Sequence, residues 1–126
     1  MKDLEHKEQC AVIQWARLNE TRWPCLKYLF SIPNGGKRNI RTAVRLKAEG
    51  VKAGVPDLML PVVRYQNVDR GLVLAAGLFI EMKSAKGKMT DSQKDFMDYL
   101  IKAGYQHFVC YNAGEAIDVI TDYLAS

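Results

Sequence analysis

Two short stretches, Gly54-Val55-Pro56-Asp57-Leu58 and Ile80-Glu81-Met82-Lys83, decide how this 126-residue chain is interpreted. In the first, an aspartate follows a tight glycine and proline turn and precedes an apolar run, which predicts that Asp57 begins a strand. In the second, Glu81 and Lys83 are two residues apart, and such side chains point to the same face of a β-strand. If the two strands are neighbours, two carboxylates and one ammonium group converge on one spot.

The acidic and basic residues of the second stretch stand in an otherwise apolar run that is expected to be buried. Burying Glu81 and Lys83 is costly unless the charges are paired or coordinated. The ordinary alternative is a Glu–Lys pair on an exposed strand face, which contributes little, and the flanking apolar residues argue against it. For Asp57 the ordinary alternative is a turn residue. Because hard divalent cations prefer oxygen ligands, Asp57 and Glu81 are instead predicted to form a Mg²⁺ site, and Lys83 to act on a water or a phosphate beside it.

The composition is that of an ordinary globular domain, with 48% hydrophobic and 25% charged residues. The net charge of +4 permits a polyanionic partner without requiring one. Three scattered cysteines argue against a zinc site or a disulfide framework. The N-terminus is too polar for a signal peptide, and Gly77 interrupts the longest apolar run. We therefore expect one soluble, cytoplasmic domain spanning residues 1–126, with no membrane partner.

The hydrophobic periodicity predicts a mixed α/β fold with the element order αβαββαβα, in which helices flank a mixed sheet. A capping box formed by Thr90 and Gln93 predicts the start of the third helix, and Gly104 its end. The predicted helices are 4–18, 38–49, 90–103 and 113–124; the predicted strands are 26–32, 57–63, 78–83 and 105–111, with a polar hairpin loop at 64–70.

The order of these motifs resembles the PD-(D/E)xK nuclease superfamily, and the chain is similar to its VRR-NUC branch, the virus-type replication-repair nuclease domains. The similarity runs over essentially the whole length, through the segments 5–9, 32–36, 51–57, 80–83 and 104–105. The resemblance implies a restriction-endonuclease-like core and a Mg²⁺- or Mn²⁺-dependent endonuclease acting on DNA. It further implies a phage or bacterial DNA-repair protein that works as a homodimer, with branched DNA such as four-way junctions as its substrate.

The resemblance also implies roles for individual residues. Asp57, Glu81 and the main-chain carbonyl of Met82 would face the metal ion, and Lys83 would lie near the attacking water. Glu8 on the first helix resembles the family's additional acid. Glu5, one helical turn away on the same face, leaves that assignment open. Gln93 resembles the family's glutamine that faces the site, although its place in the capping box explains it equally well.

A glycine-rich turn followed by basic residues has two interpretations. It is either a turn and a helix start, or a surface where the backbone and positive charges approach DNA phosphates without reading sequence. The residues predicted to bind nucleic acid are Asn34, Gly35, Gly36, Lys37, Arg38, Arg41, Lys52 and Lys86, with Arg45 and Lys88 as possible extensions of the surface.

Two other classes of function compete with the nuclease hypothesis. A non-catalytic nucleic-acid-binding module could keep the nuclease fold, and it would bind DNA without metal-dependent cleavage. A small-molecule hydrolase could use the same carboxylates, but the basic loops and the lack of a catalytic-nucleophile motif argue against it. The sequence leaves open the preferred DNA structure, the position of the cut and the oligomeric state.

Overall fold

The computed structural model describes residues 2–33, 39–67 and 71–125, with the backbone alone described for residues 2 and 3. The helices are α1 (Lys2–Leu18), the 3-10 helix η1 (Pro24–Tyr28), α2 (Ile40–Ala48), α3 (Asp91–Lys102) and α4 (Ala113–Ala125). The strands are β1 (Phe30–Ser31), β2 (Leu58–Leu60), β3 (Arg64–Tyr65), β4 (Val73–Ala75), β5 (Leu78–Met82) and β6 (Gln106–Cys110).

A four-stranded mixed sheet in the order β1-β2-β5-β6 forms the centre of the fold. Strand β2 runs antiparallel to both β1 and β5, whereas β6 runs parallel to β5. The register pairs Leu58 with Ile80 and Glu81 with Val109. A parallel pair needs a crossover connection, and α3 provides it between β5 and β6. The predicted mixed sheet flanked by helices is confirmed.

The hydrophobic core lies on one face of this sheet. Alternate residues of β5 (Leu78, Ile80 and Met82) are at most 2% exposed and belong to one cluster with residues of α1 and α4, among them Val12 and Ile120. Side chains alternate between the two faces of a strand, so Phe79 and Glu81 point to the opposite face. Helix α3 approaches that second face, because its Gln93 is hydrogen-bonded to Glu81.

Three predicted elements differ in the structure. The strand predicted at 26–32 is a 3-10 helix at 24–28 followed by the two-residue strand β1, and Pro24 suits the first helical position because its ring fixes φ. The strand predicted at 57–63 ends at Leu60, immediately before Pro61, which lacks an N–H to donate. The segment predicted as a hairpin loop contributes β3, which pairs with β4 in a separate two-stranded sheet.

Two other element ends agree more closely with the local sequence rules. Asn39 caps α2, because its side chain accepts a hydrogen bond from the Thr42 N–H at 2.7 Å. Strand β5 ends one residue earlier than predicted, at Met82, yet the Lys83 N–H still donates to the Cys110 carbonyl at 2.9 Å.

No helix in the described part of the chain has the length and apolarity needed to cross a membrane.

Candidate active site

The two acids singled out from the sequence lie on neighbouring strands. Asp57 immediately precedes β2, and its N–H donates to the Ile80 carbonyl at 3.0 Å, which continues the antiparallel ladder by one step toward Glu81. The Oδ2 atom of Asp57 accepts a hydrogen bond from the Met82 N–H at 2.7 Å. Consequently the Asp57 carboxyl is anchored to the backbone of the strand that carries Glu81.

Glu81 is the one charged residue buried among those described, with 3% of its surface exposed. Burial, a hydrogen bond with the Asp57 carboxyl and the negative charge of that carboxyl raise the pKa of Glu81 to about 9. The positive charge of Lys83 opposes this rise. A pKa raised this far means that the Glu81 carboxyl keeps its proton at neutral pH when no cation lies beside it.

The Glu81 carboxyl also has an oxygen that no described residue satisfies. Its Oε2 atom accepts from Gln93 Nε2 at 3.2 Å, whereas Oε1 is buried without a donor from the described part of the chain. A cation placed between Asp57 and Glu81 could take up this oxygen and relieve the repulsion between the two acids. The chemistry of the pair therefore fits a divalent metal ion.

The backbone of Met82 lies on the same side as this pair. Both polar groups of a strand residue point the same way, so the Met82 carbonyl lies on the side of its N–H, which faces Asp57. Among the described residues, no cluster of three or more His, Cys, Asp or Glu side chains could hold a metal. Two carboxylates plus a carbonyl is the kind of donor set that Mg²⁺ accepts, since it keeps several of its waters.

The two glutamates of α1 make different contacts. Glu5 Oε2 accepts from the Ser84 N–H at 3.2 Å, directly after Lys83, and its negative charge contributes to the raised pKa of Glu81. Glu8 Oε1 accepts from the Ala113 N–H at 2.8 Å, at the first residue of α4. The structure thus brings Glu5 to the acid pair and uses Glu8, the residue favoured from the sequence, to tie α1 to the start of α4.

Gln93 makes both interactions that the sequence left as alternatives. Within the capping box, the side-chain Oε1 atom of Gln93 accepts from the Thr90 N–H at 2.8 Å. The backbone N–H of Gln93 donates to Thr90 Oγ1 at 3.2 Å. Its Nε2 atom is left to donate to Glu81. The predicted capping box is confirmed, and the same side chain reaches the buried acid.

Gly54 has a structural role that the sequence did not reveal. Its φ is +90°, and a Cβ atom added there would lie 2.3 Å from the Ser92 carbonyl oxygen in the first turn of α3. Only glycine permits this contact between the two backbones. The loop before Asp57 is thereby packed on the turn that presents Gln93. The one signal in the sequence was a glycine three residues before the aspartate.

The predicted nucleic-acid-binding residues fall into two groups. The first group lies outside the described residues and consists of Asn34, Gly35, Gly36, Lys37 and Arg38. The remaining three, Arg41 on α2, Lys52 in the following loop and Lys86 in the turn after Lys83, are all exposed. Arg45, a possible extension of the surface, forms an ion pair with Glu49 at 3.2 Å.

Comparison with known proteins identifies relatives of this chain. The model of the VRR-NUC domain family matches residues 1–114. A solved structure described as a VRR_NUC domain protein superimposes with a TM-score of 0.76 and 28% sequence identity, covering 97% of this chain and 88% of that one. No protein of curated function is detectably similar to the chain.

Proposed function

The chain belongs to the VRR-NUC domain family, and on this premise we propose that it is a Mg²⁺- or Mn²⁺-dependent endonuclease that hydrolyses phosphodiester bonds in DNA. The observation that carries the proposal is the buried Glu81 carboxyl beside Asp57, with one oxygen that no described donor satisfies. On this proposal, residues 1–126 form a single nuclease domain with a restriction-endonuclease-like core.

Asp57, Glu81 and the Met82 carbonyl would hold the cation. Such an ion, when bound, lowers the pKa of a coordinated water and neutralises the charge that develops on the phosphate. Asp57 is held ready by its hydrogen bond from the Met82 N–H. Glu81 is oriented by Gln93 and must lose its proton before it can act as a ligand, because its pKa is raised to about 9.

The neighbouring residues would position the water and the phosphate. Lys83 is partly exposed next to the pair and carries a positive charge that acts on Glu81, so it is suited to orient the attacking water or to contact the phosphate. We assign the additional acid of α1 to Glu5 rather than Glu8, because Glu5 lies beside Ser84 and acts on Glu81. Gln93 would fix the orientation of the Glu81 carboxylate.

The substrate and setting extend this proposal. Arg41, Lys52 and Lys86, together with the segment 34–38, would contact the DNA backbone without reading sequence. We propose branched DNA such as four-way junctions as the substrate, a homodimer as the active form, and the cytoplasm of a bacterium or phage-infected cell as the location. The competing function is a nucleic-acid-binding module that keeps the fold without cleaving.

A cleavage assay separates the two functions. Linear, flapped and four-way DNA are incubated with the protein in Mg²⁺, Mn²⁺ or EDTA, and light scattering gives the mass of the active form. Cleavage with either metal and none in EDTA is expected. Binding without cleavage in all conditions would favour the non-catalytic module instead.

Variants connect the assay to the site. Asp57→Asn, Glu81→Gln and Lys83→Ala are expected to reduce cleavage at least about a hundredfold, the scale of losing a positioned catalytic group. Circular dichroism should show that they remain folded. Lys102→Ala, at an exposed lysine in the last turn of α3, is the matched control. Cleavage by Lys83→Ala at the rate of the unaltered protein would overturn the role assigned to Lys83.

A further inference from the structure

An exposed phenylalanine lies on the edge of the central sheet. Phe30 belongs to β1, the edge strand, and 48% of its surface is exposed. Its neighbour Leu29 is buried in the core cluster that packs against the sheet. Since consecutive residues alternate, Phe30 points to the other face of the sheet. That face also carries Phe79 and Glu81.

The register places Phe30 close to the proposed metal ligands. Phe30 is directly opposite Met59 in β2. Asp57 lies two residues before Met59, in line with the same strand. Such diagonal neighbours on one face are about 7–8 Å apart. The pairing continues past Met59, because the Ile32 N–H donates to the Asp57 carbonyl at 2.8 Å. The ring of Phe30 is thus within the span of a single nucleotide from Asp57.

The ring of Phe30 is open to a new stacking partner. None of the described residues forms an aromatic or cation–π contact with it. Tyr28, two residues earlier, is more exposed at 62%, but it lies outside the sheet on η1 and the Lys27 ammonium already sits 6.0 Å from its ring centroid. Phe30 is therefore distinguished from Tyr28 by its place on the sheet face that carries the acids.

We propose that Phe30 stacks on an unpaired base of DNA next to the phosphate that is cleaved, an inference that rests on the proposed function and names the origin of its selectivity. Every base has a π-face, so such stacking tolerates any sequence but requires that the base has left its neighbours in the duplex. Mismatched bases and the single-stranded bases of a flap leave the stack at little cost, whereas the paired bases of a continuous duplex do not. Phe30 therefore makes DNA with an unpaired nucleotide a better ligand than plain duplex.

The test uses a fluorescent base and no catalysis. A duplex carries a single unpaired 2-aminopurine, whose fluorescence is quenched when it stacks, and the control duplex carries the same base fully paired. Both are titrated in EDTA with the unaltered protein, Phe30→Ala, Phe30→Leu, Phe30→Trp and Tyr28→Ala. Phe30→Leu keeps an apolar side chain without a ring, and Phe30→Trp keeps a ring.

The proposal expects Phe30→Ala and Phe30→Leu to lose the stacking quench and to bind the unpaired duplex about tenfold more weakly, within the range for losing one stacked base. Phe30→Trp and Tyr28→Ala should behave as the unaltered protein, and binding to the paired duplex should not change. Equal quenching by Phe30→Leu and the unaltered protein would overturn the proposal. An equal loss of affinity for both duplexes in Phe30→Ala and Phe30→Leu would also overturn it. So would a change in the molecular mass of these variants that leaves the quenching unchanged.

The same preparations distinguish this proposal from the proposed function. A protein that quenches the unpaired base through Phe30 but never cleaves with Mg²⁺ or Mn²⁺ supports the stacking site and removes the hydrolytic function. A protein that cleaves with these metals while Phe30→Leu still quenches keeps the hydrolytic function and removes the stacking site.

Discussion

The side chain of Gln93 joins the start of α3 to the buried Glu81 carboxyl: Nε2 donates to Glu81 Oε2 at 3.2 Å. The opposite end of the amide is fixed, because Oε1 accepts the Thr90 N–H at 2.8 Å. An amide oxygen held by an N–H donor leaves only its nitrogen to face the acid. A helix-capping motif therefore determines which atom is presented to the proposed metal site.

Two substitutions separate the cap from the contact with the acid. Thr90→Ala removes the side-chain cap, which should lower the free energy of unfolding by about 1 kcal/mol while Gln93 still reaches Glu81. Gln93→Ala removes the side-chain contact with the Thr90 N–H and the contact with Glu81, so it should lower cleavage more than Thr90→Ala does. Urea unfolding and cleavage rates measure the two effects. Equal losses of cleavage in the two variants would show that Gln93 matters only as a cap.

The raised pKa of Glu81 predicts how the metal-free protein responds to pH. In the unfolded chain this carboxyl releases its proton near its ordinary value of 4.5, whereas in the folded protein it keeps the proton up to about pH 9. The folded state therefore binds more protons between these values, and its stability falls as pH rises through that window. Below about pH 4.5 the contribution of Glu81 is fully present.

Thermal unfolding in EDTA from pH 5 to pH 9 checks this expectation. The melting temperature should decrease with pH, and Glu81→Gln should flatten the decrease because its amide does not titrate. Added Mg²⁺ should raise the melting temperature of the unaltered protein more at pH 8 than at pH 6, since the proton competes with the ion. A melting temperature that rises with pH in both proteins would contradict the assignment.

Gly54 and Gly50 provide a matched pair for the contact between the loop and α3. Both have positive φ, at +90° and +104°, so alanine at either position costs about 1–2 kcal/mol for the backbone conformation. A Cβ atom at Gly50 has nothing within 4 Å, whereas at Gly54 it meets the Ser92 backbone. Gly54→Ala should therefore lower the free energy of unfolding by at least about 1–3 kcal/mol more than Gly50→Ala. Similar values by urea unfolding would mean that the loop moves away freely.

The two glutamates of α1 should respond differently to the loss of charge. Glu5→Gln keeps an oxygen for the Ser84 N–H but removes the negative charge near Glu81, so we expect slower cleavage and weaker dependence on Mg²⁺. Glu8→Gln removes a negative charge from the start of α4, which should lower the free energy of unfolding by about 0.3–1 kcal/mol. Cleavage rates and urea unfolding, measured on both variants, give the comparison. A larger loss of cleavage in Glu8→Gln than in Glu5→Gln would mean that Glu8 is the additional acid of α1.

The sequence by itself determined the features that depend on neighbouring residues. The apolar run around Glu81 predicted that it lies in a buried strand, the pattern of Thr90 and Gln93 marked the start of α3, and the mixed sheet flanked by helices followed from the order of periodic segments. The resemblance to the VRR-NUC family, carried by the two acidic motifs, is confirmed by the family match.

Only the tertiary structure decided the features that depend on residues far apart in the chain. The hydrogen bond of Glu5 with the Ser84 N–H rests on where α1 meets the residues after β5, and the role of Gly54 rests on its contact with α3. The place of Phe30 beside Asp57 depends on the pairing of β1 with β2. Periodicity reports which face of an element is buried, but it carries no information about which distant backbone packs against that face.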